Sequence, residues 1–216
     1  ADGRVLIIAD SRNRAAQQKF ASQTPGASTV EAVDLQDLIA FASSFDVGSP
    51  NALEQLLRLA QSVMTHVGVA ELMRRLESLA RGTARNPPTD AESRALEFRH
   101  APSLVAAAAL LSELLAMPNV RVHRPAILYG VLKALREASS GTVPLADAAK
   151  HVREENRLLG RPLPKRAVGS TLLLKGLEAE VAVLLNTEGM SAQNLYVAMT
   201  RGSMRLVVCS ASPMVG

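Results

Sequence analysis

Apolar runs typical of buried strands lie near the two ends of this sequence, and a long stretch of helical pattern separates them. Residues 5–9 are continuously apolar, as expected for a strand that is buried on both faces of a parallel sheet. Residues 28–33 offer a second strand, and residues 169–174, 181–185 and 205–209 offer three more. Because neither end is large enough to bury a sheet alone, the sequence predicts one sheet built from both ends.

The middle of the sequence repeats apolar residues at helical spacing. Leu53, Leu56 and Leu57 recur at intervals of three and four, the pattern of a helix with one buried face. Further elements are expected at residues 103–116, 125–138 and 143–159 as helices and at 120–123 as an extended piece. The predicted fold class is α/β, a parallel sheet with a mainly helical insertion. The predicted domain parts are residues 1–45 and 161–216 for the sheet and 46–160 for the insertion.

Two helix starts are predicted near the front of the chain. Asp10 or Ser11 follows the first strand and is suited to cap a helix that runs to about residue 21. Asp34 is expected to cap a second helix over residues 35–45, whose apolar positions again recur at helical spacing.

Composition sets broad limits on the class of protein. The chain has 216 residues, of which 48% are hydrophobic and 20% charged, as in ordinary globular domains. A net charge of +4 suits a polyanionic partner, although a mild excess of arginine is also common on ordinary surfaces. Cys209 is the only cysteine, which excludes an intrachain disulfide, and we expect it to be a small apolar residue of a buried strand.

No signal-peptide pattern and no apolar run of membrane-spanning length is seen in the sequence, so we expect a cytoplasmic protein with no membrane partner. The chain begins without methionine and enters a strand almost at once. We therefore expect it to be a fragment of a longer protein.

A polar tetrapeptide, Lys175-Gly176-Leu177-Glu178, separates two of the predicted strands near the end of the chain. Gly176 permits a tight elbow after a buried strand. Polar residues that follow the carboxyl ends of parallel strands line the crevice where α/β sheets bind ligands. The alternative is an ordinary exposed turn with a solvated lysine and glutamate.

A predicted helix ends in Thr200-Arg201 and precedes the last strand. A helix in this position delivers Arg201 to an edge of the domain. The guanidinium is permanently charged and forked, which suits the charge spread over phosphoryl oxygens during transfer to water. The alternative is an arginine that caps its own helix and pairs with a surface carboxylate. Tyr196, in the same helix, is expected to be a packing residue with its hydroxyl in water, and the alternative is a platform on which a base stacks.

Taken together and in this order, the two segments resemble the C-terminal motor motifs of superfamily 1 DNA helicases of the UvrD/Rep type. The elbow matches the family's Lys-Gly-Leu-Glu, and residues 195–201 match its Leu-Tyr-Val-Ala-x-Thr-Arg helix. The resemblance is specific over roughly residues 168–210. It implies a RecA-like second motor domain, which works with a first RecA-like domain of the same protein on single-stranded or partly duplex DNA.

The resemblance also implies roles for individual residues. Gly176 and Glu178 would bind nucleotide, with Glu178 at the sugar. Arg201 would be the catalytic arginine finger that reaches the terminal phosphate of ATP, which the first domain binds with Mg²⁺. The residues expected to contact the DNA backbone are Ser170, Thr171 and Lys175. No metal ligand is expected in this chain, since the four histidines show no ligand spacing.

The sequence departs from the family pattern in one place and lacks two motifs that hydrolysis requires. Many family members carry a histidine shortly before the lysine, where this chain has Leu172-Leu173-Leu174. No P-loop string occurs, and no Asp-Glu pair ends an apolar strand to hold Mg²⁺. We therefore expect this chain alone not to hydrolyse ATP.

Basic residues elsewhere in the sequence offer a second route to DNA. Those that could follow phosphates are Arg74, Arg75, Arg81, Arg85, Arg161, Lys165 and Arg166. The alternative is that they are solvated residues of helix faces and loops.

Two rival interpretations of the whole chain stay open at this point. One is a degenerate helicase-like module that acts only in DNA or partner binding. The other is an unrelated nucleotide-binding α/β domain with coincidental motifs, which predicts that Glu178 and Arg201 lie on different faces of the fold.

Overall fold

The computed structural model describes residues 3–9, 13–159, 163–188 and 190–212. The chain forms two units: residues 1–32 with 161–216 contain a parallel sheet, and residues 33–160 contain helices. In chain order the elements are β1 (Val5–Ile8), α1 (Arg14–Gln23), β2 (Ala27–Thr29), α2 (Gln36–Ser44), α3 (Ala52–Val63), β3 (Met64–Thr65), α4 (Val69–Ala80), α5 (Asp90–His100), α6 (Leu104–Ala116), β4 (Arg121–Val122), α7 (Pro125–Ala138), α8 (Leu145–Leu159), β5 (Arg166–Gly169), β6 (Ala179–Leu184), α9 (Ala192–Met199) and β7 (Gly202–Val208).

The sheet unit joins strands from both ends of the chain, as the apolar runs predict. Its five described strands lie in the order β2-β5-β1-β6-β7, and every neighbouring pair is parallel. The α/β class with a parallel sheet is therefore confirmed. The central strand β1 alternates its side chains between the two faces of the sheet. Leu6 and Ile8 pack on the face that α9 covers, and Ile7 packs on the face that α1 covers.

Both predicted helix caps at the front of the chain differ from the structure. α1 begins after Asn13, whose side-chain oxygen accepts a hydrogen bond from the Ala16 amide at 2.9 Å. Asp10 and Ser11 lie outside the described residues. The prediction that Asp34 caps α2 is wrong: the cap position is Leu35, with φ +44° and no side-chain hydrogen bond.

The helical unit begins earlier than the predicted insertion, at residue 33 rather than 46. The reason is that α2 packs with the later helices. Leu35, Leu38 and Phe45 are buried in the same apolar cluster as α3, α6 and α7. α7 covers the predicted range, and α6 and α8 begin one and two residues later than predicted and end where expected. The extended piece expected near residue 121 is confirmed as β4, which pairs antiparallel with the two-residue β3. Within the described ranges, no helix is long and apolar enough to cross a bilayer.

Candidate functional site

The chain turns earlier after β5 than the sequence predicts. The prediction of a strand over residues 169–174 is wrong. β5 ends at Gly169, and residues 171–176 form turns. The Ser170 hydroxyl oxygen accepts a hydrogen bond from the Leu173 amide at 3.3 Å, and the Ser170 carbonyl accepts one from the Leu174 amide at 3.0 Å. Leu174 then folds back onto β5, with its Cγ 3.2 Å from where a Cβ on Gly169 would lie.

Gly176 has the conformation expected of an elbow glycine. Its φ is +82°, in the left-handed region that other residues rarely adopt, and nothing lies within 4 Å of a Cβ built on it. The Leu177 amide donates to the Leu174 carbonyl at 3.1 Å, which closes the turn. Lys175 and Glu178 are both exposed on either side of this glycine. The elbow therefore presents one positive and one negative side chain to solvent.

α9 delivers Arg201 to the elbow. The helix begins after Ser191, whose hydroxyl oxygen accepts a hydrogen bond from the Asn194 amide at 3.3 Å. Its C-terminal cap is Thr200, the residue before Arg201. Arg201 Nε donates to the Val197 carbonyl at 2.9 Å, and its Nη1 donates to the Leu177 carbonyl at 3.2 Å. Arg201 therefore caps its own helix in part, as the alternative interpretation predicts, because it donates a hydrogen bond to the Val197 carbonyl of the last turn. Within the described residues, however, its guanidinium contacts carbonyl and hydroxyl oxygens rather than a carboxylate.

The two motifs meet at Glu178. The guanidinium of Arg201 bonds Leu177, the residue before Glu178, and the carbonyl of Arg201 accepts a hydrogen bond from Ala179, the residue after it, at 3.1 Å. These bonds bring Arg201 and Glu178 to the same part of the sheet unit. Arg201 therefore lies beside the backbone of Glu178, where the elbow enters β6.

Comparison with known proteins gives no match: no family model, no curated protein and no solved structure is significantly similar to this chain. The α/β class therefore rests on the strand order and pairing described above.

The residues predicted to contact DNA differ in their access to solvent. Lys175 is exposed, whereas Ser170 and Thr171 are buried. A buried hydroxyl cannot reach a phosphate unless the turn over residues 171–176 opens. Contact with DNA by all three residues stays a prediction, and Lys175 is the one that this conformation offers to a partner.

Several polar residues at the same edge of the sheet were missed by the sequence interpretation. Asn186 and Thr187 follow β6 as Ser170 follows β5, so they lie at carboxyl ends of neighbouring parallel strands. Arg14, the first residue of α1, pairs with the buried Glu31 after β2 at 2.6 Å. The sequence feature that could have predicted these residues is a polar side chain that follows shortly after an apolar run.

Two further predictions about the last part of the chain are wrong. Tyr196 is 70% exposed rather than packed, because Leu195 and Ala198 take the helix positions that face the sheet. Cys209 is exposed rather than buried, because it directly follows β7, a strand whose side chains are largely open to solvent.

The arginines of the helical unit are mostly paired with carboxylates. Arg74 pairs with Glu71, Arg75 with Glu92 at 2.9 Å, and Arg81 with Glu77 at 3.6 Å. In the sheet unit, Arg166 Nη1 donates to the Pro25 carbonyl at 2.6 Å. Arg161 lies outside the described residues. These pairings favour structural roles over phosphate contact, most clearly for Arg75. In the described part of the chain, no group of side chains is arranged to hold a metal ion.

Arg75 and Glu92 join α4 to the start of α5. Glu92 lies in the first turn of α5, where its carboxylate also accepts a hydrogen bond from the Thr89 amide at 2.9 Å in a capping box. The hydrogen bond from Arg75 holds the pKa of the Glu92 carboxyl below its usual range, against the opposite effect of burial. A carboxyl with a lowered pKa stabilises the fold above its ordinary pKa of about 4.3, and this stabilisation is lost as the pH falls through the lowered value.

We expect Glu92→Gln to destabilise the protein at neutral pH, and this difference from the wild type to shrink as the pH falls below about 5. Urea unfolding followed by far-ultraviolet circular dichroism at several pH values measures it. Glu54→Gln is the matched control, since Glu54 pairs with Arg58 on an exposed face and its removal should change little. A difference for Glu92→Gln that stays constant down to pH 3 contradicts this account.

Proposed function

We propose that this chain is the second RecA-like motor domain, with a helical insertion, of a superfamily 1 DNA helicase or translocase of the UvrD/Rep type. One observation carries the proposal: Arg201 is hydrogen-bonded to the residues on both sides of Glu178. An unrelated α/β domain with coincidental motifs does not require Glu178 and Arg201 to lie close together. A domain that contacts one nucleotide through both of them requires it.

The sheet unit is compatible with this assignment. Its parallel strands carry helices on opposite faces, α1 on one and α9 on the other. The carboxyl ends of β5, β1 and β6 share one edge, where α/β sheets bind ligands.

In the proposed mechanism, ATP with Mg²⁺ is bound mainly by the first RecA-like domain of the same protein. Glu178 accepts a hydrogen bond from a sugar hydroxyl of this nucleotide, since its exposed carboxylate is an acceptor. Arg201 donates to the terminal phosphate, where negative charge spreads over three oxygens in the transition state. Closure of the two domains around ATP would then move this chain one step along single-stranded DNA.

The position of Arg201 links the nucleotide to the elbow. Its Nη1 bonds the Leu177 carbonyl, and a guanidinium that turns toward a phosphate must give up some of its protein bonds. The exchange is favourable because hydrogen bonds to an anionic phosphate are stronger than those to a neutral carbonyl. Release of Leu177 would free the elbow that carries Lys175. Nucleotide binding and the grip on DNA would thereby be coupled through one hydrogen bond.

The direct test is ATP hydrolysis by the full-length protein, with and without single-stranded DNA. Stimulation of hydrolysis by DNA supports a working motor. If DNA binds but does not stimulate hydrolysis, the chain is instead the degenerate helicase-like module that acts only in DNA or partner binding. The exposed leucine at position 172, where many family members carry polar residues, is the feature of this chain that favours such a module.

Glu178→Ala in the full-length protein is expected to raise the KM for ATP about tenfold and to leave kcat nearly unchanged. A hydrogen bond to the sugar is made equally in the ground and transition states, so its loss weakens binding without slowing chemistry. Steady-state kinetics at saturating DNA measures both constants. Glu71→Ala, an exposed glutamate of the helical unit, is the control. A fall in kcat with an unchanged KM would show that Glu178 does not bind the sugar in this way.

A further inference from the structure

β7 is an edge strand with much of its apolar surface uncovered. It spans seven residues at one end of the sheet and pairs, in the described chain, with β6 alone. Five consecutive side chains from Ser203 to Val207 are exposed, and Met204 is 81% exposed. The opposite edge, β2, has only three residues, and two of them are buried. Proteins usually shorten, charge or cover such edges, because an open edge pairs with other chains.

The two faces of β7 offer different side chains to an added strand. Leu206 lies beside Ala182 and Arg205 beside Val181 in the β6–β7 register. The register is regular from Arg205 onward, so Arg205 and Val207 share one face and Leu206 lies on the other. Met204 is exposed at the register shift between Gly202 and Arg205. A neighbouring strand would therefore contact apolar side chains at Met204, Leu206 and Val207, and a positive one at Arg205.

The charge of β7 itself is one-sided. Arg205 is the one charged side chain within Gly202–Val208. A second copy of β7 would bring an arginine and no carboxylate to Arg205, and like charges on neighbouring strands are destabilising. An extended segment that alternates apolar and acidic side chains would fill the apolar positions and pair with Arg205. The surface thus favours an acidic partner over self-association.

We propose that β7 is a docking edge for an extended, acidic and apolar segment of another protein, which adds to the sheet as a sixth strand. Main-chain hydrogen bonds along the strand provide affinity, and the alternating side chains provide selectivity. This inference goes beyond the proposed motor function and does not depend on it, because it uses a sheet edge rather than the residues around Glu178.

The test uses two fluorescein-labelled peptides and the whole chain. One peptide is Thr-Val-Glu-Val-Thr-Val-Glu-Val-Thr, and the other carries Lys in place of both Glu. Fluorescence anisotropy should show the acidic peptide bound about fivefold or more tightly than the basic one, the size expected for one partly exposed ion pair. Arg205→Glu should reverse this preference. Hydrogen exchange should show slower exchange of the residue 203–208 amides when the acidic peptide is bound.

Met204→Lys should weaken binding of the acidic peptide about tenfold, because the exposed apolar side chain is lost from the docking face. Val105→Lys is the matched control, an exposed apolar residue of the helical unit that should leave binding unchanged. Both substituted positions are at the surface, and thermal unfolding confirms that each variant folds. Equal binding of both peptides, an Arg205→Glu variant that keeps the original preference, or a concentration-dependent dimer that Met204→Lys abolishes would each overturn the proposal.

Discussion

Arg201→Ala is expected to lower DNA-stimulated ATP hydrolysis by the full-length protein about 10³-fold or more, which is the usual effect of removing an arginine finger. The reason is that a forked, permanently charged donor stabilises charge that develops only in the transition state, so the loss falls on kcat. Rapid-mixing measurements of phosphate release at saturating ATP and DNA give the rate. A variant that hydrolyses ATP at the wild-type rate contradicts the proposed role.

The structural role of Arg201 must be separated from its proposed chemistry. Its side chain bonds the Val197 and Leu177 carbonyls, so Arg201→Ala should also cost about 1–3 kcal/mol in the free energy of unfolding. Arg201→Lys keeps the charge and loses the fork. We expect this variant to remain folded and still lose about 10²-fold in rate. If activity instead follows the folded fraction in both variants, Arg201 only caps its helix.

Gly202→Ala is expected to destabilise the sheet unit by about 2–3 kcal/mol, because it overpacks a tight point in the backbone. A Cβ on Gly202 would lie 2.5 Å from the Arg205 carbonyl oxygen and 2.9 Å from the Ala182 amide nitrogen. Both neighbours are main-chain atoms, so neither can move aside without displacing β6 or β7. Hydrogen exchange at the amides of β6 and β7, together with urea unfolding, measures the loss.

Gly48→Ala provides the comparison for this substitution. The nearest atom to its added Cβ would be the Asp46 Oδ1 at 3.5 Å, an ordinary contact. We expect a change within about 0.5 kcal/mol. If Gly202→Ala is equally mild, the close approach at the start of β7 relaxes at little cost, and the arginine beside it is held less firmly than the hydrogen bonds suggest.

Gly202 was missed by the sequence interpretation, and so was the early turn after β5. An apolar run such as Leu172-Leu173-Leu174 carries no information on where the chain turns. Here the turn is set by the Ser170 hydroxyl and carbonyl oxygens, which accept hydrogen bonds from the next residues and draw them out of the strand. The sequence does not reveal these local hydrogen bonds, because the apolar pattern of residues 172–174 gives a stronger signal for a strand.

Elements with strong boundary signals were predicted well. α7 begins at Pro125, a residue suited to the first turn of a helix, and ends before a Ser-Ser-Gly turn. The two ends of the chain were expected to share one sheet, and β1 indeed pairs with β5 and β6. The burial of side chains at the edge of the sheet was harder to predict from the sequence. The composition of β7 is that of a core strand, and only its place in the strand order leaves Met204 and Leu206 exposed.

The strand order has a consequence for synthesis on the ribosome. Arg4, just before β1, bonds Glu180, which lies 176 residues later. At a rate of about 5–20 residues per second, β1 waits roughly 10–35 s for β6 to be made. Until β5 is made, the apolar residues 5–9 have no neighbouring strand, whereas the helical unit of residues 33–160 is complete before β5. A nascent chain of this kind should therefore depend on chaperones for its first strand rather than for its helices.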